Sequence, residues 1–226
     1  MTRQLAFDLP AKPALGRGDF FVSPANAVAV ATIEAWADWP KRMLVLVGPE
    51  GAGKTHLAHV WAALSGARIV EAEALPGAAL DGLAAGPLTV ENADGVAGRA
   101  EAEEALFHLH NLAQAAGQPV LYTAARAPRH WGLGLADLAS RMESCAVAEI
   151  GLPDDALLSA VLVKLFADRQ LAVSPKLVQY LVSRMPRSFA EAARAVEALD
   201  RAALAERRAV SVPLASRVLD KLWDGA

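Results

Sequence analysis

The chain has 226 residues, 54% apolar and 21% charged, enough to bury a substantial core and too apolar for a disordered chain. A net charge of -3 gives no broad basic surface for nucleic acid, and the single Cys145 excludes an internal disulfide and fits a reducing compartment. MTRQLAFDLP at the start lacks the apolar stretch of a secretory signal, and no apolar run approaches membrane-spanning length, so a soluble cytoplasmic protein without a membrane partner is expected.

Residues 1–19 carry Pro10, Pro13, Gly16 and Gly18 with no period and read as a flexible leader. Ser23 and Pro24 make an N-cap and first-turn pair for a helix expected to run to about Trp39, before Pro40. MLVLV (43–47) is a short apolar run bounded by turn signals, as suits a strand buried on both faces. Similar runs follow at 67–72, 87–91, 119–124 and 145–150, separated by helical stretches such as 102–117. Strands alternating with helices predict a parallel sheet covered on both faces, a body spanning residues 20–150.

After Pro153 the pattern changes. Residues 154–170, 174–185, 188–207 and 213–223 all read as helices, so 151–226 is expected to form a small helical lid. Ser188-x-x-Glu191 is a capping box, and Phe189, Ala193, Val196, Leu199 and Ala203 recur at helical spacing behind it.

Gly48-Pro49-Glu50-Gly51-Ala52-Gly53-Lys54-Thr55 fits the pattern GxxxxGK[ST], directly after a predicted strand and before a predicted helix (54–65). Glycines let backbone N–H groups curl toward phosphate oxygens, and the helix N-terminus adds partial positive charge. Lys54 is expected to neutralise the β- and γ-phosphates of ADP or ATP, and Thr55 to ligate Mg²⁺. His56 follows at the helix start, where packing competes with a contact to phosphate. Glu91 ends the run PLTVE and is the natural Mg²⁺ carboxylate, with Asp94 a weaker candidate. Asn92 stands where a water-activating acid is often found. An amide cannot take a proton from water, so slow intrinsic hydrolysis is expected, unless Asn92 simply caps a loop.

These residues resemble the AAA+ ATPases, and within them the family of the replication initiator DnaA and its shorter regulatory relatives. The resemblance runs from about Asp19 to Val218 and is most specific in GPEGAGKTHL (48–57), TAARAPRHWGLGLADLASRMES (123–144) and LDRAAL (199–204). It implies a P-loop body with a helical lid, a nucleotide sandwiched between subunits, and an arginine from one subunit completing its neighbour's site. Ser140-Arg141 matches that arginine finger; a surface pairing with Asp137 at i−4 is the competing reading.

Three departures from the family pattern weaken self-hydrolysis while leaving binding intact: Glu91-Asn92 at the strand end, Ala125 in place of an acid after Thr123, and the lid arginine. An ungapped comparison puts Ala190 at that arginine's position, with Arg187 and Arg194 about a turn to either side. Arg187 is the candidate for reading phosphate, against a salt bridge to Glu191. Phe21 and Val22 are candidates for the adenine pocket, with an ordinary core role competing.

DnaA continues into a DNA-binding domain, whereas this sequence stops at Ala226, so no sequence-specific DNA binding is expected. Gln4, Leu5, Phe7 and Leu9 resemble the short peptide by which replication proteins dock on the sliding clamp, the polymerase β subunit; an edge strand is the alternative. The resemblance thus implies a clamp-tethered negative regulator of initiation that offers Arg141 to ATP held by DnaA. Its own ATPase would be weak or absent, and homo-oligomers are allowed. The alternatives are an autonomous AAA+ ATPase such as a helicase loader, and a clamp-binding adaptor. His108 and His110 lie two apart and make a poor metal pair, while Cys145, Trp36, Trp39, Trp61 and Trp223 read as packing residues.

Overall fold

The computed structural model describes residues 21–223. The leader, with Gln4, Leu5, Phe7 and Leu9, lies outside the described residues. Five strands, β1 (Met43–Val47), β2 (Arg68–Glu71), β3 (Leu88–Glu91), β4 (Val120–Ala124) and β5 (Ala146–Glu149), form one sheet in the order β2-β3-β4-β1-β5. Every pairing is parallel.

The apolar run of β1 is buried at all five positions, because its side chains alternate between two cores. Met43, Val45 and Val47 face helices α4 (Ala100–Ala115) and α5 (Ala136–Glu143) through Leu106, Leu109 and Leu138. Leu44 and Leu46 face helices α1 (Ala27–Glu34) and α2 (Lys54–Ser65), where Ile33, Leu57 and Trp61 are fully buried. The short α3 (Leu80–Ala84) closes the first side beside α4. Trp61 stacks on Trp39 at 5.2 Å and meets Trp36 edge-on at 6.5 Å, so these indoles are core, as expected.

The first helix departs from expectation. It starts at Ala27 rather than at Pro24, because Asn26 organises the preceding turn. Its Oδ1 accepts from the Ser23 N–H at 2.8 Å and its Nδ2 donates to the Phe21 carbonyl at 2.9 Å. At the other end the Trp39 indole donates to the Thr32 carbonyl at 2.7 Å, satisfying a helix-end acceptor, and the chain continues as a short 3-10 turn at Trp36–Asp38.

Beyond β5 the chain is helical: α6 (Asp155–Asp168), α7 (Pro175–Val182), α8 (Phe189–Glu206) and α9 (Val212–Trp223). They enclose their own core, centred on Leu162, Phe166, Leu181, Val196, Leu199 and Leu214. Three starts are capped by side chains: Asp154 accepts from Leu157, Ser174 from Leu177, and Ser188 from Glu191. No helix among the described residues is long and apolar enough to cross a membrane.

Candidate functional site

The phosphate-loop residues leave the C-terminal end of β1, the end at which open α/β sheets bind ligands. Gly51 (φ +76°) and Gly53 (φ +96°) sit in left-handed conformations that side chains rarely adopt. A Cβ on Gly51 would stand 2.3 Å from Ser188 Oγ, and one on Gly53 2.7 Å from the Phe189 ring. The loop is therefore glycine-rich for two reasons, backbone curl and close approach of the lid. The Phe189 N–H donates to the Gly51 carbonyl at 3.3 Å, joining α8 to the loop.

Lys54 extends back over the loop and donates to the carbonyls of Gly48 (2.7 Å) and Pro49 (3.0 Å). Partial burial lowers its pKa, against the pull of Asp94, Glu50 and Glu91. Glu91 is 6% exposed, and its Oε1 has no hydrogen-bond partner among the described residues. Burial holds its carboxyl above the ordinary range, while the Thr55 hydroxyl, His59 and Lys54 pull it down and Glu71 pushes it up.

A buried carboxylate oxygen without a partner beside a hydroxyl is a donor set that a hard cation satisfies. Among the described residues no three His, Cys, Asp or Glu side chains group to hold a metal by themselves. Thr55 and Glu91 therefore fit Mg²⁺ as part of a shell completed by phosphate oxygens and water, which is how that ion usually binds.

A cleft of about 460 Å³ opens between the loop and the lid. Glu50, Gly51, Gly53, Lys54, Thr55, His56 and Asn92 line it from the body, as does Phe21. Leu157, Val161 and Leu165 of α6 and Phe189 and Ala190 of α8 supply an apolar wall opposite. Phosphate-binding groups at one end and an apolar slot at the other suit a nucleotide's two halves.

Of the remaining expected contacts, Gly48 and Pro49 meet Lys54 through their carbonyls, and Ala52 is buried in the core beneath the loop. Two residues are placed elsewhere. Val22 is 60% exposed and does not line the cleft; its neighbour Phe21 does. Arg187 pairs with Asp155 at 2.7 Å and donates to the Pro153 carbonyl at 3.2 Å, turned to the start of α6 rather than into the cleft. The partner weighed for it, Glu191, instead holds Arg194 at 2.6 Å and the Trp223 indole at 2.8 Å.

Arg141 is exposed on α5, near the opposite end of the sheet. Helix α5 ends at Glu143, just before β5, and β5 is parallel to β1 with Ala146 opposite Leu44. Arg141 thus stands by the N-terminal ends of the strands, where Lys41 donates to Ser144 Oγ at 3.3 Å. A five-residue strand puts about 16 Å of sheet between that end and the phosphate loop. Asp137, the partner weighed for Arg141, forms no ion pair with it among the described residues.

Two contributors are not apparent in the linear motifs. Glu71, at the end of β2, accepts from Asn92 Nδ2 at 2.9 Å. Glu103 of α4 is 3% exposed and accepts from the N–H groups of Gly98 (2.8 Å), Gly134 (3.1 Å) and Leu135 (2.7 Å), fastening the start of α5. The predicted strand at 67–72 ends beside Glu71, but only its pairing with β3 brings that residue to Asn92. Nothing in the sequence marked Glu103.

Residues 155–219 match the family model for the Hda lid domain. The lid segment is thus similar to that of Hda, on a body whose fold is similar to that of solved DnaA structures. Its fold is similar to domain III of the Thermotoga maritima replication initiation protein DnaA, at 18% identity and a TM-score of 0.80, over 94% of this chain and 98% of that one. It is also similar to AMPPCP-bound DnaA from Aquifex aeolicus, at 16% identity and a TM-score of 0.69, over 83% of this chain. This chain spans 65% of the length of that DnaA chain. A Thermotoga maritima RuvB variant matches at 16% identity and a TM-score of 0.69, over 89% of this chain and 70% of that one. The five-stranded parallel sheet and helical lid thus have the architecture expected from the sequence.

Proposed function

We propose that this protein binds ADP or ATP with Mg²⁺ in the cleft between phosphate loop and lid and acts as a negative regulator of replication initiation. Tethered to the sliding clamp through Gln4, Leu5, Phe7 and Leu9, it offers Arg141 to ATP bound by DnaA. Lys54 and the loop N–H groups hold the phosphates, Thr55 and Glu91 hold the metal, and the apolar wall with Phe21 takes the base. The metal, when bound, screens charge on the phosphates; the chain's own residues do the rest.

The observation that carries this reading is the position of Arg141. An exposed arginine about a sheet's length from its own phosphate loop is too remote for its own nucleotide, which supports a role toward a nucleotide held by another subunit. A finger supplied in trans is worth about 10³–10⁵ in turnover. The Asn92 amide in place of an acid supports the same division of labour, because it leaves the chain's own site without a base at that position.

The test is hydrolysis of labelled ATP pre-bound to DnaA, with this protein and DNA-loaded clamp added. Acceleration that disappears with Arg141→Ala and with deletion of residues 1–19 is the expected result. Absence of acceleration by intact protein that demonstrably binds clamp and nucleotide would return the chain to the autonomous-ATPase or adaptor reading.

A further inference from the structure

Three exposed cations, Lys41, Arg42 and Arg141, gather where β1 begins and α5 ends. Among the described residues none of them forms an ion pair, and neither Asp38 nor Glu143, the carboxylates nearest in sequence, is bonded to them. Like charges without a counter-charge raise the local potential and attract an anion. Arg42 is already committed, donating to the Gly117 carbonyl beyond α4 at 3.2 Å. Lys41 reaches α5 instead. Its Nζ donates to Ser144 Oγ at 3.3 Å, and that hydroxyl donates to the Arg141 carbonyl at 2.8 Å. Lys41 and Arg141 both bear on the buried His110 imidazole, pushing its pKa down, so the two charges share one neighbourhood.

The backbone beneath Lys41 is unusual. Lys41 (φ +53°) and Arg42 (φ +61°) are both left-handed, the one adjacent pair among the five non-glycine residues with positive φ in the described residues. Glycine is the residue such a turn ordinarily takes, and a long side chain there opposes the backbone. Glycine would therefore serve the turn at least as well, and a lysine kept against local preference points to use of its charge. We infer that Lys41 is a second catalytic cation supplied in trans: beside Arg141, its ammonium contacts the γ-phosphoryl oxygens of ATP held by the adjoining subunit. In that site the water oxygen bonds to the γ-phosphorus as the bond from that phosphorus to the β–γ bridging oxygen breaks. The products are ADP and inorganic phosphate, on which both water protons leave. A lysine on a flexible stem meets the γ-phosphoryl charge as a point charge, next to the planar fork of the arginine. The inference rests on the proposed action of Arg141 on a partner's ATP.

The experiment compares full-length wild type with Lys41→Gly, Lys41→Arg and Arg42→Gly in three readouts. The first is single-turnover hydrolysis of ATP pre-bound to DnaA, at saturating amounts of this protein with DNA-loaded clamp. The second is the ratio of its affinities for DnaA carrying AMPPCP and DnaA carrying ADP. The third is the melting temperature. Lys41→Gly is expected to slow hydrolysis by about 10- to 100-fold, the loss of one charge-assisted contact, and to lower the affinity ratio by about tenfold. Its melting temperature should be unchanged or higher, because glycine relieves the positive φ. Lys41→Arg should keep most of the rate and of the ratio. Arg42→Gly, which removes an equal charge from the next residue, should leave both within about twofold of wild type.

A Lys41→Gly rate equal to wild type would overturn the inference. So would a rate that falls with the affinity ratio unmoved, which would mark an acidic protein surface rather than phosphate as the target. A Lys41→Gly protein that melts lower as it loses rate would make Lys41 structural, and an equal loss in Arg42→Gly would make the patch unspecific. If wild type accelerates nothing, or Arg141→Ala accelerates as well as wild type, the reading of Arg141 falls first and the inference falls with it.

Discussion

The N–H of Phe189, first residue of lid helix α8, donates to the carbonyl of Gly51 in the phosphate loop at 3.3 Å, and its ring closes over Gly53. The lid is thereby hydrogen-bonded to the loop that would carry the phosphates, so whatever orders one orders the other. Gly53→Ala is expected to break this link. A side chain at φ +96° costs about 1–2 kcal/mol by itself, and the new Cβ would also displace the ring. Hydrogen exchange in α8 and the loop should rise together in this variant, and ATP affinity should fall. Faster exchange in the loop alone would show that the two are not coupled.

Lys54 and Arg141 stand toward opposite ends of the sheet, so their roles should separate cleanly. Lys54→Ala is expected to weaken ATP binding by about 10- to 100-fold, the loss of one charge-assisted contact. Nucleotide at about 100 times the wild-type dissociation constant stabilises the wild type by about 2.7 kcal/mol, and at the same concentration this gain should fall to about 0.4–1.4 kcal/mol in Lys54→Ala. Arg141→Ala should keep both affinity and stabilisation while losing action on a partner's ATP. Thermal melts with and without ATP, read beside the DnaA assay, check both.

His110 is 2% exposed and shares a hydrogen bond with the Tyr122 hydroxyl at 3.0 Å. Burial lowers its pKa to about 4, with Arg141 and Lys41 pushing the same way. Because the folded value lies below the unfolded one, near 6.5, the unfolded chain binds the extra proton. Stability is thus full above about pH 6.5 and is lost as pH falls toward 4. At pH 5 this amounts to about 2 kcal/mol by linkage. Urea unfolding at pH 7.5 and 5.0 should show that loss, and His110→Gln should flatten it.

Glu103 caps the approach to α5 from a different helix. Although burial opposes its charge, three backbone N–H groups hold its carboxyl below the ordinary range. Glu103→Ala leaves those donors without their acceptor and is expected to cost about 3 kcal/mol. The damage should centre on residues 132–143, so stimulation of a partner should fall further than ATP affinity does. Equal losses in both would mean that the body unfolds as a whole.

Much of this architecture is legible in the chain itself. Runs such as MLVLV and PLTVE announce buried strands because both faces are covered, and glycines around Lys54 announce a loop with room only for backbone. The capping residues Asp154, Ser174 and Ser188 mark helix starts through bonds made within one turn. These are local effects, fixed by neighbours in sequence. Contacts between elements are not local: the pairing of β2 with β3 brings Glu71 to Asn92, and the packing of α4 brings Glu103 to the start of α5, across separations of 21 and 32 residues. The parallel pairing of β5 with β1 sets Arg141 by the strand ends opposite the phosphate loop, and packing among the lid helices turns Arg187 to Asp155 rather than into the cleft. Residue type and spacing determine which element forms; only packing of the assembled sheet decides which side chains meet.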